Sequence, residues 1–243
     1  MKFINSKYIY FLPLIGWIPW AGMLIALMVC WSVQGKPSYA FMDRAQTPVY
    51  ISDIAATNLQ PIFIVGSSLQ AIFFLATLIV EFILRNRLNK WFSIHAKRLS
   101  YPSFIFMFAG QIGIILVSCF NTKNFPHLHL DFLSLFILGI LLHLIMTIIQ
   151  YLIMGLKYDQ SSYWNYLTFS FYLKLIFLLI AGSFAACFKL ISNDNTNASF
   201  EWSLSFFYIT LFWIYGFDLY KLSREIPDIA EVNEQDKYSV NLA

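Results

Sequence analysis

Few side chains in this sequence can do chemistry, and the strongest candidates interrupt long apolar runs. Lys174, Glu81 and Asp218 all do so. A charge in hydrocarbon costs about 2.5–3.5 kcal/mol even on the lenient insertion scale, so such residues default to functional hypotheses. Lys174 either snorkels along its aliphatic stem to the headgroups or pairs with an acid at its own level, Glu81 and Asp218 being nearest in depth. A cluster of that kind suits an anionic headgroup such as phosphatidylserine or a phosphoinositide. Gln70, Gln111 and His143 recur near the middle of successive runs. They are expected to face one another or a wet interior. There they serve either as interhelical hydrogen bonds or as a hydrophilic pocket for a lipid headgroup or sterol hydroxyl.

A second set lies between the runs. Tyr50-Ile51-Ser52-Asp53 occupies the longest connection. Ser52 and Asp53 are residue types that cap short helices and turns; the same strip could touch a headgroup, with Tyr50 and Ser52 supplying hydrogen bonds. His129 and Asp131 head the fourth run, and Glu201 begins the sixth, where an acid is favourable at a helix N-terminus. Two His and nearby acids without a defined ligand spacing make no metal site. No Ser-His-Asp order, His-Glu-x-x-His or phosphate-binding glycine loop occurs. The expectation is a protein that is not an enzyme, with no catalytic residue, metal or cofactor. Asn197-Ala198-Ser199 is a possible N-glycosylation sequon. Cys30, Cys119 and Cys187 could form one disulfide, leaving one thiol over; buried free thiols are the expected state.

The elements that position these residues are helices crossing a bilayer. Of 243 residues, 59% belong to the hydrophobic set and 12% are charged, against about 25% charged in a soluble domain. A spanning helix needs about 20 apolar residues, and six segments qualify: 8–31, 59–84, 101–120, 130–156, 164–189 and 202–220. The first is too long for a cleavable signal and reads as a signal anchor. Residues 1–220 make one membrane domain, and 221–243 a flexible cytosolic tail. With a cytosolic amino terminus, Lys2, Lys7, Arg85, Arg87, Lys90, Lys97, Arg98, Lys157, Lys221, Arg224 and Lys237 fall inside. Lys36, Arg44, Lys123 and Lys189 fall outside, a bias of eleven to four. The expected fold is therefore all-α and polytopic, with six transmembrane helices, both termini cytosolic and a structured first exoplasmic loop. The basic residues from Arg85 to Arg98 form a cytosolic patch, which is either the topology signal or a seat for anionic lipid or a peripheral kinase, at about 1 kcal/mol per charge. No basic–aromatic interleaving points to nucleic acid.

The longest connection reads Gly35-Lys36-Pro37-Ser38-Tyr39, then Pro48-Val49-Tyr50-Ile51-Ser52-Asp53-Ile54-Ala55, and leads into Leu59-Gln60-Pro61-Ile62-Phe63. This resembles the first exoplasmic loop of the Frag/DRAM/Sfk family of six-span membrane proteins, and the fungal Sfk branch in particular. Phe120-Asn121-Thr122-Lys123 with Leu128-His129, Glu201-Trp202 and Phe217-Asp218-Leu219 resemble the family's second exoplasmic loop and last span. The resemblance implies a non-enzymatic lipid-homeostasis protein of the plasma membrane. Such a protein supports phosphatidylinositol 4-kinase function and phospholipid or sterol asymmetry, with membrane lipids (anionic phospholipid, sterol) and a peripheral kinase complex as partners. Relatives act in lysosomal, Golgi and ER membranes, including a factor for remodelling GPI-anchor lipids. A lipid transporter or scramblase is the further alternative.

Overall fold

The computed structural model describes residues 8–42, 44–88, 92–158 and 165–225. Among them are eight α-helices and no strand: α1 Phe11–Val33, α2 Ile51–Ala55, α3 Gln60–Leu88, α4 Ile94–Cys119, α5 Pro126–Tyr158, α6 Tyr166–Leu190, α7 Asp194–Phe207 and α8 Ile209–Glu225. Helices α1, α3, α4, α5 and α6 are each long and apolar enough to cross a membrane. The sixth expected span, 202–220, is divided between α7 and α8. At the break the Ser205 carbonyl accepts from the Trp20 indole Nε1 at 2.9 Å. The Leu211 amide turns back to the Tyr208 carbonyl, three residues away, in a 3₁₀-type contact. The helices also outrun the apolar segments. α3 runs to Leu88, α4 begins at Ile94, and α8 carries 221–225, which were expected in the tail. Hydropathy marks only the part of a helix that meets hydrocarbon; backbone hydrogen bonding continues past it. The rest of the tail lies outside the described residues, as do Lys2, Lys7, Lys90 and Lys237.

Packing closes the bundle in chain order: α1 on α3, α3 on α4, α4 on α5, α5 on α6, α6 on α7 and α8, and α8 back on α1. The tightest pair is α4–α5. A Cβ at Gly139 would sit 2.6 Å from the Gly110 Cα, and one at Gly113 would sit 2.8 Å from the Phe136 nitrogen. Only glycine allows that approach, a common way of packing membrane helices. An aromatic core fills the centre, with Phe74 edge-on to Phe212 and Tyr215 at 5.0 and 5.2 Å.

The distribution of polarity is inverted relative to a soluble protein. Gln70, Gln111, Lys174 and Asp218 are fully buried, whereas Ile18, Ile25, Val65, Ile72, Ile105 and Leu179 are exposed on the outside. An outer surface of that kind is solvated by lipid. The chain is a multi-pass membrane protein.

Candidate functional site

The Tyr50–Asp53 strip is a buried helix, not a surface loop. All five residues of α2 are buried, and the helix packs on α1, α3 and α7. A helix start leaves backbone N–H groups without partners, and Tyr50 at the N-cap position offers no side chain to them. The expectation that Ser52 and Asp53 act as caps is corrected here, because both lie inside the helix. The cap arrives from α7: Glu201 Oε2 accepts from the Ile51 N–H at 2.8 Å, and Ser52 bonds the same carboxyl. Glu201 itself lies well inside α7, so its helix-terminus partner is α2, not its own helix. Burial raises its carboxyl to about 8 despite the Ile51 bond, with Asp53 adding to the rise.

Further bonds hold this roof in place. Trp202 Nε1 donates to the Val49 carbonyl at 2.9 Å. Asp53 Oδ1 accepts from the Thr122 hydroxyl at 3.0 Å, tying α2 to the α4–α5 connection. Gln60 Nε2 donates to the Ser118 and Cys119 carbonyls, and Asn121 Nδ2 donates to Gln60 Oε1. The Tyr50 hydroxyl is pushed up by burial and by the charges of Asp194 and Glu201, against a bond with Asn197.

Beneath the roof lies a cavity of about 220 Å³. Its walls are mostly apolar, from Phe63, Phe136, Ile140, Leu144 and Phe177, with Ala181, Gly182 and Ala185 of α6 leaving room along one side. Leu141 and Gly182 line it and are also exposed on the outer surface, so it opens sideways between α5 and α6. Its polar lining is Ser52, His129, Glu201, Ser205 and Tyr208. His129 is 2% exposed. Its Nδ1 faces the carbonyls of Phe120 at 2.8 Å and Val117 at 3.1 Å. Two acceptors require that Nδ1 carry the hydrogen, which leaves Nε2 as an acceptor when the ring is neutral.

At mid-depth Gln70 donates to Gln111, Gln111 donates to the Tyr208 hydroxyl at 3.2 Å, and that hydroxyl donates to Gln70 at 3.3 Å. The expected meeting of Gln70 and Gln111 therefore occurs, with Tyr208 as the third member. His143 belongs to a separate group with Ser103, Thr147 and Tyr215; its Nε2 lies 2.5 Å from the Tyr215 hydroxyl.

Deeper still, Lys174 is fully buried, bonded to Asp218 and to the Ser170 hydroxyl, with its ammonium 3.6 Å from the Tyr151 ring centre. It does not snorkel. Glu81 bonds Arg85 at 2.8 Å, and the Tyr151 hydroxyl bridges the two at 2.6 Å to each. Arg85, expected in the surface patch, is 3% exposed, whereas Arg87 and Arg98 are exposed. The four charges balance, which is what permits their burial. Around this group a second cavity of about 310 Å³ opens between α3, α4 and α5, lined by Glu81, Arg85, Ser100, Ser103, His143 and Gln150.

Other expectations fall apart from these groups. Asp131 is exposed and does not join His129. The three cysteines are free, but Cys119 is exposed and Cys30 and Cys187 are half-buried, because helix ends near a loop pack less closely than mid-helix positions. Tyr151, Tyr208 and Tyr215 join the polar groups without having been singled out. Tyr215 stands three residues before Asp218 on α8, and Tyr208 sits at the break between α7 and α8.

The sequence profile described as the Frag1/DRAM/Sfk1/Cwh43P N-terminal domain matches residues 8–222. The chain belongs to this family. The matched stretch takes in α1 to α7, most of α8 and both cavities. Protein SFK1 of Saccharomyces cerevisiae is 29% identical over 88% of this chain and 79% of its own length. Protein sfk1 of Schizosaccharomyces pombe is 24% identical over 84% of this chain and 61% of its own length, so the chain spans about three-fifths of that relative. No solved structure matches the chain. It is thus a membrane protein of the fungal Sfk1 kind, in agreement with the resemblance carried by Tyr50–Asp53 and Glu201-Trp202.

Proposed function

We propose that this member of the family is a non-enzymatic regulator of lipid composition in the plasma membrane, which holds a lipid under α2 and supports phosphatidylinositol 4-kinase function at the inner leaflet. In this reading both termini are cytosolic and α2 faces the exoplasm, as the Lys/Arg bias favours. The single observation that carries the proposal is the cavity beneath α2. It is apolar along its length, polar at its roof and open sideways between α5 and α6. Such a shape admits a membrane lipid laterally and fixes its polar end. A rigid roof suits recognition better than turnover, since its acids are tied to backbone and hydroxyl groups. The test is fluorescent localisation of the tagged chain together with leaflet-resolved phosphatidylserine and phosphatidylinositol 4-phosphate measurement in cells lacking it. Plasma-membrane localisation with altered distribution of either lipid is expected. Unchanged distributions, or residence elsewhere, would remove the proposal.

A second reading, lipid transport, is favoured by one observation. Buried polar groups follow each other along the bundle from Gln111 through Tyr208 and His143 to Asp218. Liposomes with fluorescent phospholipids decide it: transfer between leaflets by the pure protein supports transport, and none leaves the regulatory reading.

A further inference from the structure

The chemistry of the roof narrows what the cavity under α2 can hold, and this step rests on the lipid-binding reading above. Among the described residues lining the cavity there is no Lys or Arg. Its acid is Glu201, and Asp53 stands next in sequence to the lining residue Ser52. A phosphate group brought here would leave water and find carboxyl groups with no cation to meet it, an arrangement that buried ions do not tolerate.

Neutral hydrogen bonding is available instead. Glu201 and Ser52 are tied to each other and to α2. His129 differs: its Nδ1 is committed to two carbonyls, while Nε2 has no protein partner in a residue that lines the cavity and is 98% enclosed. An acceptor without a protein partner in a residue that lines the cavity is open to a donor brought into it. From His129 to Leu144 the wall follows α5 for about 22 Å at the helical rise, more than the roughly 15 Å of hydrocarbon in one leaflet. The cavity of about 220 Å³ runs along this wall, with its polar lining gathered under α2 and apolar side chains over the rest.

We infer that this cavity binds an uncharged lipid bearing a hydroxyl, a sterol or a diacylglycerol, whose hydroxyl donates to His129 Nε2 while its hydrocarbon lies against Phe136, Ile140 and Phe177. The mouth beside α6 sets access. A Cβ at Gly182 would meet nothing within 4 Å, so a larger side chain fits there without displacing protein and blocks the opening.

The test uses the full chain in nanodiscs with three photoactivatable probes: a sterol, a diacylglycerol and phosphatidylserine. Labelled peptides are located by mass spectrometry. The sterol or the diacylglycerol should label α5 and α6, and comparison of those two arms identifies the source of the hydroxyl. Gly182→Leu should abolish that labelling. His129→Asn keeps an N–H donor for the Phe120 and Val117 carbonyls but lacks the second acceptor. It should retain the wild-type melting temperature and lose about tenfold in labelling, the effect of one buried hydrogen bond. Phosphatidylserine labelling at α5 and α6 in place of the hydroxyl lipids would overturn the ligand class and leave the lipid-binding reading standing. Absence of label from all three probes on folded protein would overturn both.

Discussion

Glu201 Oε2 lies 2.8 Å from the backbone nitrogen of Ile51, a residue 150 positions earlier in the chain. This contact makes the Tyr50–Asp53 strip a helix with a fixed place. Five residues cannot sustain an isolated helix in water, so α2 exists because α7 satisfies its first amide and the bundle buries its side chains. The same contact gives the roof a pH dependence. The Glu201 carboxyl is held at about 8 in the folded protein, against about 4.3 in an unfolded chain. The folded state therefore binds the extra proton between these values. The associated stability is fully present below about pH 4.3 and is lost as pH rises toward 8.

Glu201→Gln should accordingly flatten the pH dependence. The amide oxygen still accepts from Ile51, but nothing titrates. Thermal unfolding in detergent from pH 5 to 9 checks this. Wild type should lose melting temperature across the range, and Glu201→Gln should lose less. Glu201→Ala should be destabilised by about 1–3 kcal/mol at every pH, because the Ile51 amide then stays buried without a partner. Parallel curves for wild type and Glu201→Gln would show that the carboxyl does not titrate there.

The α4–α5 contact and the α6 wall offer a matched pair of glycine tests. Gly139→Ala places a methyl 2.6 Å from the Gly110 Cα, where only backbone could give way. Overpacking of that kind costs about 1–3 kcal/mol and should lower the melting temperature. Gly182→Ala meets open space and improves helix propensity, so its melting temperature should equal or exceed the wild-type value. Equal losses at both positions would mean that α4 and α5 do not approach as described.

The spans were legible because hydrocarbon solvation imposes a simple demand: long apolar runs, with any polar interior residue turned inward. That demand left Gln70, Gln111 and His143 to meet one another or a wet interior, and Lys174 to snorkel or to pair with Glu81 or Asp218; Gln70 meets Gln111, His143 stands apart, and Lys174 pairs with Asp218. It could not reveal features decided by tertiary contact. The Trp20 indole bonds Ser205 where the sixth apolar run divides into α7 and α8, and nothing near position 205 signals this. Hydropathy falls where charges begin, so the apolar run ends at Leu84 and leaves Arg85 outside it. The helix in fact continues to Leu88, and Glu81, one turn earlier, draws the guanidinium inward. The Glu201–Ile51 cap was hidden by its sequence separation. Only the resemblance tied the Tyr50–Asp53 strip and Glu201 to one family, and it placed both on the same side of the membrane without joining them.

The sequon at Asn197 should stay unmodified in the mature protein. The residue lies inside α7, is half-buried, and bonds the Tyr50 side chain. A glycan on its amide would have to displace Tyr50 and separate α7 from the loop before α2. Treatment of the protein from its native membrane with an N-glycan-cleaving amidase should leave its gel mobility unchanged, equal to that of Asn197→Gln. A mobility shift on treatment would mean that this face of α7 is open during or after folding.

Lys174 and Asp218 provide the most demanding test, because the bundle encloses both completely. An exposed ion pair is worth about 0–1 kcal/mol. Removing one partner of a buried pair leaves an uncompensated charge and costs about 3–5 kcal/mol. Lys174→Met and Asp218→Asn should each lower stability by that larger amount. The double variant should be more stable than the sum of the two losses predicts, since it leaves no orphaned charge at this point. Glu81 and Arg85 should keep the double variant folded, as they neutralise each other through Tyr151. Detergent melting of the four proteins completes the cycle. Strictly additive losses below about 1 kcal/mol each would put Lys174 at the headgroups after all, reached by its aliphatic stem, with Asp218 in water.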